Sequence, residues 1–279
     1  MIESIATELA IEPVREGVFR ARLRGFDGRS FGGTTLGCAM LAAGHGCEGR
    51  ALHSLHAYFL RRVPPDVEIE LHVEKLSDGR RLAHRRVQLR REGRVLCEVS
   101  ASFAAAQAGF GFQEVAIDPG APAPEALMPD VELAKIVGWP DPPPPVEWRW
   151  IEYPSRELAA GEAPLCRGWA RPRTPLPDDA RVHEAALAYL SDWASQGAIE
   201  RRFAPRFAHE RFASLDHAIW VHEPARWDDW WLVTTRSDIA AAGRALTQRQ
   251  IYTRDGRLIA TIAQEALIGE HGGAAPPAA

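Results

Sequence analysis

Between residues 67 and 74, Val67, Ile69, Leu71 and Val73 alternate with Glu68, Glu70, His72 and Glu74. A period of two, with one apolar and one polar row, predicts a β-strand that has one face on a core and the other in water. Patterns of this kind occur twice along the chain: residues 54–103 and 214–267 share a strand, strand, strand, turn, strand layout. The match is clearest at the last hairpin, where Arg91-Glu92-Gly93-Arg94-Val95-Leu96 answers Arg254-Asp255-Gly256-Arg257-Leu258-Ile259. An acidic residue followed by Gly between two β-rich runs marks a hairpin turn. Upstream, Ser54-Leu55-His56 is set against Ser214-Leu215-Asp216-His217, and a helical pattern precedes each repeat, at 34–45 and 180–196. Each half therefore reads as a helix followed by four antiparallel strands, an α+β class. The duplication predicts two diverged domains in tandem rather than one large sheet.

In the first helix small side chains dominate from Phe31 to Gly44, and Thr34 or Thr35 is placed to cap it. Such a helix can be gripped closely by a curved sheet. Gly33 and Gly37 form G-x-x-x-G, but the apolar run is too short for a membrane span, so the motif reads as close packing. The second helix, entered from Pro177-Asp178-Asp179, carries Val182, Ala186, Tyr189, Leu190 and Trp193 at helical spacing. Asp192 follows Ala185, Ala188 and Tyr189 on the edge of an otherwise small, apolar face, where a carboxylate needs a compensating reason. The expected boundaries are an N-terminal unit at 1–105, a Pro/Ala-rich linker at 106–150, a C-terminal unit at 151–271 and a flexible tail at 272–279. The linker contains Pro142-Pro143-Pro144-Pro145, and its Trp139, Trp148 and Trp150 predict that it is packed down.

The 279 residues carry a net charge of −4, without the basic excess that nucleic-acid binding requires. No apolar run approaches the ~20 residues of a bilayer span, and Glu3 and Glu8 interrupt the profile of a signal peptide. The expectation is a cytoplasmic protein without membrane association, and the C-terminal residues are no peroxisomal address. Cys38, Cys47, Cys97 and Cys166 lack C-x-x-C spacing and read as reduced side chains, so neither a disulfide framework nor a metal site is expected.

Positions that are bland in one repeat and polar in the other point to chemistry. Gln264 stands opposite Ala101 in the repeat alignment and shares a strand face with Ala260, Ile262, Ala266 and Ile268. Either it belongs to a working site or it satisfies a backbone group in the core. A strand serine such as Ser214 is ordinarily structural, and His217 and His222 read as packing residues or as catalysts, since neither has a metal-ligand partner at suitable spacing. Asp192, Ser214 and Gln264 nevertheless come from three elements that a helix-on-sheet domain brings together, a constellation able to hold water. The rival is Gly28-Arg29-Ser30-Phe31-Gly32, which matches G-x-S-x-G between a strand and a helix. Against it, a hydrolase elbow follows several βα units, whereas only about thirty residues precede Ser30 and the chain after it reads as long antiparallel strands. The pairs Arg80-Arg81, Arg85-Arg86 and Arg90-Arg91 read as solvated strand faces before phosphate contacts.

Several motifs occur together in order. They are Phe31-Gly32-Gly33; Leu52-His53-Ser54-Leu55-His56-Ala57-Tyr58-Phe59-Leu60; Arg85-Arg86-Val87 with Ala101-Ser102-Phe103; Arg181-Val182-His183 leading to Tyr189-Leu190-Ser191-Asp192; Leu215-Asp216-His217-Ala218-Ile219-Trp220-Val221-His222; and Tyr252-Thr253-Arg254-Asp255-Gly256 with Gln264-Glu265. Over nearly its whole length the chain thereby resembles the acyl-CoA thioesterase II family. The resemblance implies a tandem double hotdog, each half a helix wrapped by an antiparallel sheet, that hydrolyses acyl-CoA by direct attack of water without a covalent intermediate or cofactor. It implies a catalytic set of Asp192, Ser214 and Gln264, and a homodimer or higher homo-oligomer. The family's hydroxyl is typically Thr, so Ser214 departs from it, and Thr34 stands where relatives often have Gln, which bears on substrate preference. The backbone N–H groups of Gly33 and Thr34, at the positive end of the first helix, are the expected oxyanion donors. The alternatives are an acyl-CoA hydratase or non-catalytic acyl-CoA binder of the same fold, or a serine hydrolase using Ser30. Against the hydratase, the adjacent Asp216 and His217 point to opposite faces of a strand.

Overall fold

The computed structural model describes residues 4–269 except 27–28, 138–143, 155, 157, 159–160, 205, 208–210 and 225. The first half contains α1 (Ile5–Glu8), β1 (Ile11–Arg15), β2 (Val18–Leu23), the short β3 (Gly25–Phe26) and β4 (Arg29–Ser30), then α2 (Gly32–Gly44), β5 (Arg50–Phe59), β6 (Val67–Asp78), β7 (Leu82–Arg91) and β8 (Arg94–Ala105). The second half contains α3 (Asp130–Val137), β9 (Val146–Trp150), β10 (Cys166–Pro172), α4 (Ala180–Ser191), α5 (Gly197–Phe203) and the short β11 (Ala213–Ser214). It ends with β12 (Asp216–Val221), β13 (Trp231–Ala241), β14 (Arg244–Thr253) and β15 (Leu258–Leu267).

The strand order β1-β2-β6-β7-β8-β5-β12-β15-β14-β13-β10-β9 runs outward from its centre in the same way on both sides. The two repeats are thus related by a pseudo-twofold at the β5–β12 seam, where Tyr58 faces Asp216 and Leu55 faces Ile219 in antiparallel register. Each half is a helix held against an antiparallel sheet, the double hotdog that the resemblance implies. Where two separate sheets were expected, there is one continuous 13-stranded sheet. The reason is elementary: β5 and β12 are each the last strand of their own sheet, and pairing them satisfies two rows of backbone donors and acceptors at once.

Four strands per half is also too few. The pairs β1–β2 and β9–β10 extend the two sheets, and they lack the clean alternation that exposes β6 in the sequence. The reach expected to be linker up to residue 150 supplies α3 and β9, and the rings of Trp148 and Trp150 stack 4.4 Å apart. Trp139, Pro142, Pro143 and the tail at 272–279 lie outside the described residues. The second helix stops at Ser191 rather than 196, with Asp192 as its C-cap, and the left-handed Ala194 (φ 51°) separates it from α5.

The helices α2 and α4 lie antiparallel at backbone contact. A Cβ on Gly33 would stand 2.4 Å from the Tyr189 carbonyl oxygen, and one on Gly37 would stand 3.1 Å from that of Ala185. The G-x-x-x-G motif therefore serves helix-to-helix approach, beyond the grip of the sheet. Neither threonine caps α2. Phe31 is its N-cap without a side-chain bond, and Thr34 and Thr35 are buried inside the first turn, where the Thr35 hydroxyl donates to the Phe31 carbonyl at 3.4 Å. The orphan N–H groups of that turn are consequently left to what lies beyond the helix end. All four cysteines are buried and free.

Because α2 and α4 cannot separate without opening the core, Gly33→Ala should cost about 1–3 kcal/mol of stability. Gly109→Ala, where an added Cβ meets nothing within 4 Å, should stay within about 0.5 kcal/mol. Urea unfolding of the two variants checks this.

Candidate active site

Antiparallel packing brings the C-terminus of α4 to the N-terminus of α2, and Asp192 sits in that junction with 7% of its surface exposed. The approach depends on Gly32, since a Cβ there would fall 2.5 Å from Asp192 Oδ2. Burial raises the carboxyl pKa to about 6; the Gln264 side chain, the charge of Arg249, the Gly33 backbone N–H and the Ser195 hydroxyl act in the opposite direction. Asp192 Oδ1 is buried and accepts no hydrogen bond from the protein, and His217 Nδ1 stands 4.0 Å from it.

A chain of hydrogen bonds surrounds this carboxylate. Gln264, on β15, donates from Nε2 to Ser214 Oγ at 2.6 Å, and its Oε1 is 2.8 Å from His217 Nδ1. On the far side of the ring, His217 Nε2 is 2.8 Å from Ser191 Oγ, which is also 2.7 Å from the Ala188 carbonyl oxygen. Burial lowers the His217 pKa to about 3, so the ring is neutral. Arg249 is 2% exposed; its Nε donates to Thr235 Oγ1 at 2.9 Å and its Nη1 to the Ser191 carbonyl, which caps the negative end of α4. Burial lowers its pKa to about 10, so it stays charged at neutral pH beside Asp192. Half-buried Phe31 packs against Tyr189 and Trp193, with ring centroids 5.1 and 5.2 Å apart, and a Cβ on Gly32 would also meet Phe59 at 3.4 Å.

The residues expected from sequence occupy distinct places. Asp192, Ser214 and Gln264 converge, Ser214 being half-buried on β11 opposite Ala266. The N–H of Gly33 faces the Asp192 carboxylate, and Thr34 is buried in the first turn of α2. Ser30 is elsewhere: its hydroxyl donates to the Val63 carbonyl at 3.3 Å, and Gly28 of the same motif lies outside the described residues. Every paired strand in the main sheet is antiparallel, unlike the parallel sheet that carries a nucleophile elbow. Asp216 and His217 are split across the sheet, Asp216 Oδ1 accepting from the Glu265 backbone at 2.8 Å while His217 is buried. His222 bonds the Thr261 hydroxyl at 2.8 Å at the surface. Among the described residues no group of three His, Cys, Asp or Glu could hold a metal, and no helix is long and apolar enough to cross a membrane.

The register corrects the repeat alignment. Leu55 faces Ala101 across β5–β8, and continuing the Ala218–Ala263 pairing of β12–β15 sets His217 opposite Gln264. The counterpart of His217 is therefore Leu55, and Ser54 is not the counterpart of Ser214. Likewise Arg85 faces Ala101 where Thr247 faces Gln264. Sequence reading missed Ser191, Ser195 and Arg249. Arg249 carried the same signal as Gln264, a polar side chain in phase with buried Thr247 and Ile251; the two serines carried none, since Ser is common near helix ends.

Models of an acyl-CoA thioesterase N-terminal domain and an acyl-CoA thioesterase C-terminal domain match residues 22–104 and 118–268. Acyl-CoA thioesterase 2 of Haemophilus influenzae is 31% identical, over 93% of this chain and 95% of its own. Among solved structures, the acyl-CoA thioesterase II TesB2 from Mycobacterium marinum is 31% identical with a TM-score of 0.80, covering 97% of this chain and 100% of its own. A protein with a hot dog fold from Alicyclobacillus acidocaldarius reaches a TM-score of 0.78 at 17% identity, over 96% and 99% of the two chains, a likeness of fold alone.

Asp192 carries a folded-state pKa near 6 against about 4 in the unfolded chain. Its ionised form therefore opposes folding above pH 6, and the penalty vanishes as pH falls below the unfolded value. Asp192→Asn should be more stable than the parent at pH 8, by on the order of 2 kcal/mol, with the difference disappearing toward pH 4. Denaturant midpoints across that range measure it.

Proposed function

This chain belongs to the acyl-CoA thioesterase II family, and from that premise we propose that it hydrolyses fatty or related acyl-CoA thioesters by direct attack of a water held between Asp192, Ser214 and Gln264. The observation that carries the reading is Asp192 Oδ1, a buried carboxylate oxygen with no partner in the protein, with the Gln264 side chain acting both on this carboxylate and on the Ser214 hydroxyl, to which it donates at 2.6 Å. A water there donates one proton to Oδ1 and accepts the Ser214 O–H, which leaves its second lone pair for the carbonyl carbon. As the C–O bond forms, the water proton passes to Asp192 and negative charge develops on the thioester oxygen, favoured by the positive end of α2 at Gly33 and Thr34. When the C–S bond breaks, the departing thiolate takes the proton from Asp192, giving a carboxylic acid and the CoA thiol. A pKa near 6 makes Asp192 a stronger base than an exposed aspartate while it stays mostly ionised at neutral pH.

Phe31, Phe59 and Trp193 around Gly32 offer an apolar wall to the acyl group, in keeping with a lipid-metabolic substrate. In this reading the enzyme works in the cytoplasm as a homodimer or higher homo-oligomer. Its support is the pair of aromatic side chains at the seam, Tyr58 and Trp220, that are 64% and 41% exposed on the open face.

Thiol release from short, long, branched and aromatic acyl-CoAs tests the reading. Asp192→Asn should lower kcat by about 10²–10⁴ while Ser30→Ala keeps parental turnover, and kcat/KM should fall as pH drops through about 6, where the base becomes protonated. Parental turnover in Asp192→Asn would reject the mechanism.

A further inference from the structure

A carboxamide has two ends of similar shape and opposite polarity, and only one orientation of Gln264 suits a carboxylate neighbour. With Nε2 toward Ser214, the amide donates to that hydroxyl at 2.6 Å and its positive end favours the charge of Asp192; rotated by half a turn, the carbonyl would face Asp192. Something must hold the first orientation. The partner at the other end is His217, 2.8 Å from Oε1, and beyond it Ser191, whose one hydroxyl proton has two acceptors in reach, the Ala188 carbonyl at 2.7 Å and His217 Nε2 at 2.8 Å.

These contacts permit two closed proton arrangements of a neutral ring. If Ser191 donates to Ala188, the imidazole must donate from Nε2 and accept at Nδ1, which demands the wrong end of the Gln264 amide. If Ser191 donates to Nε2, the ring proton sits on Nδ1, donates to Oε1, and turns the amide nitrogen toward Ser214, with its positive end on the Asp192 side. We infer that Ser191 and His217 are positioning residues: a two-member hydrogen-bond relay that fixes the Gln264 amide in the orientation the water-attack site needs. The inference rests on the proposed role of Asp192, Ser214 and Gln264.

The internal repeat supplies an independent argument. Where the second half has His217 against Gln264, the first has Leu55 against Ala101 at the same register. A leucine therefore fills this sheet position when there is no amide to orient, and the histidine accompanies the amide. Packing alone does not call for it.

The test is a set of double-mutant cycles on acyl-CoA hydrolysis. His217→Leu, the side chain the other repeat uses, should lower kcat about tenfold with KM within about twofold. His217→Asn, whose amide N–H can stand where Nδ1–H stands, should recover most of that loss, and Ser191→Ala should fall between them. In a Gln264→Ala background, itself slowed about 10²-fold, none of the three should slow turnover further. Nitrogen NMR of labelled histidine should find the His217 proton on Nδ1. Equal losses in both backgrounds, or a ring protonated on Nε2, would overturn the inference. If His217→Leu fails to fold, the Ser191→Ala cycle carries the same decision. An active Asp192→Asn would instead remove the underlying reading, whereas an inactive one with additive losses removes the relay alone.

Discussion

Backbone contact between α2 and α4 is the constraint from which the rest of the architecture follows. Gly33 against the Tyr189 carbonyl and Gly37 against that of Ala185 leave no room for side chains between the two helices, so neither half can hold its helix independently of the other. The same contact sets the positive end of one helix against the negative end of its neighbour. A carboxylate at the C-cap of α4 thus stands at the N-terminus of α2, where the N-cap Phe31 supplies no side-chain bond and the Gly33 N–H faces that carboxylate instead. The candidate site is for this reason a property of the fused pair: Asp192, Ser214, His217 and Gln264 come from the second repeat, Gly32 and Gly33 from the first.

Burial of that carboxylate runs against folding stability. Desolvation dominates its surroundings, and the groups that favour its charge, Gln264, Arg249, Gly33 and Ser195, offset it only in part. Arg249 is itself buried and keeps its charge by donating to the carbonyl end of α4 and to Thr235. The protein therefore holds two charges inside its core close to one another, an arrangement that neutral packing would replace with greater stability. Cores retain such groups where chemistry needs them.

Duplication explains why the proposed catalytic residues fall in one half. At matched registers the first repeat has Leu55, Ala101 and Arg85, and the second has His217, Gln264 and Thr247. Arg85 reaches across its own half to Asp78 and to backbone carbonyls, at 2.8 Å from the carboxylate, and so serves structure. The first half retains the sheet and helix, and contributes two glycines and a helix end to the candidate site, with Phe31 and Phe59 beside them.

Strand alternation, the paired acidic-Gly hairpins and the helical spacing of Val182 to Trp193 were legible in the sequence because they reflect local periodicity, which each repeat states separately. Asp192 and Gln264 were legible as well, for each breaks an apolar row that the local pattern establishes. The continuous sheet was not: joining β5 to β12 depends on which edges two folded halves leave open, and no residue encodes that alone. Ser191, Arg249 and the pairing of His217 with Gln264 also lay beyond it, since a hydrogen-bond partner is chosen by register and distance between elements 26 to 58 residues apart. Sequence by itself determined the repeats, the elements and the odd polar residues. Tertiary structure alone decided which of those residues meet, because that rests on how closely two glycine-lined helices approach and on a strand register that a shift of one residue would invert.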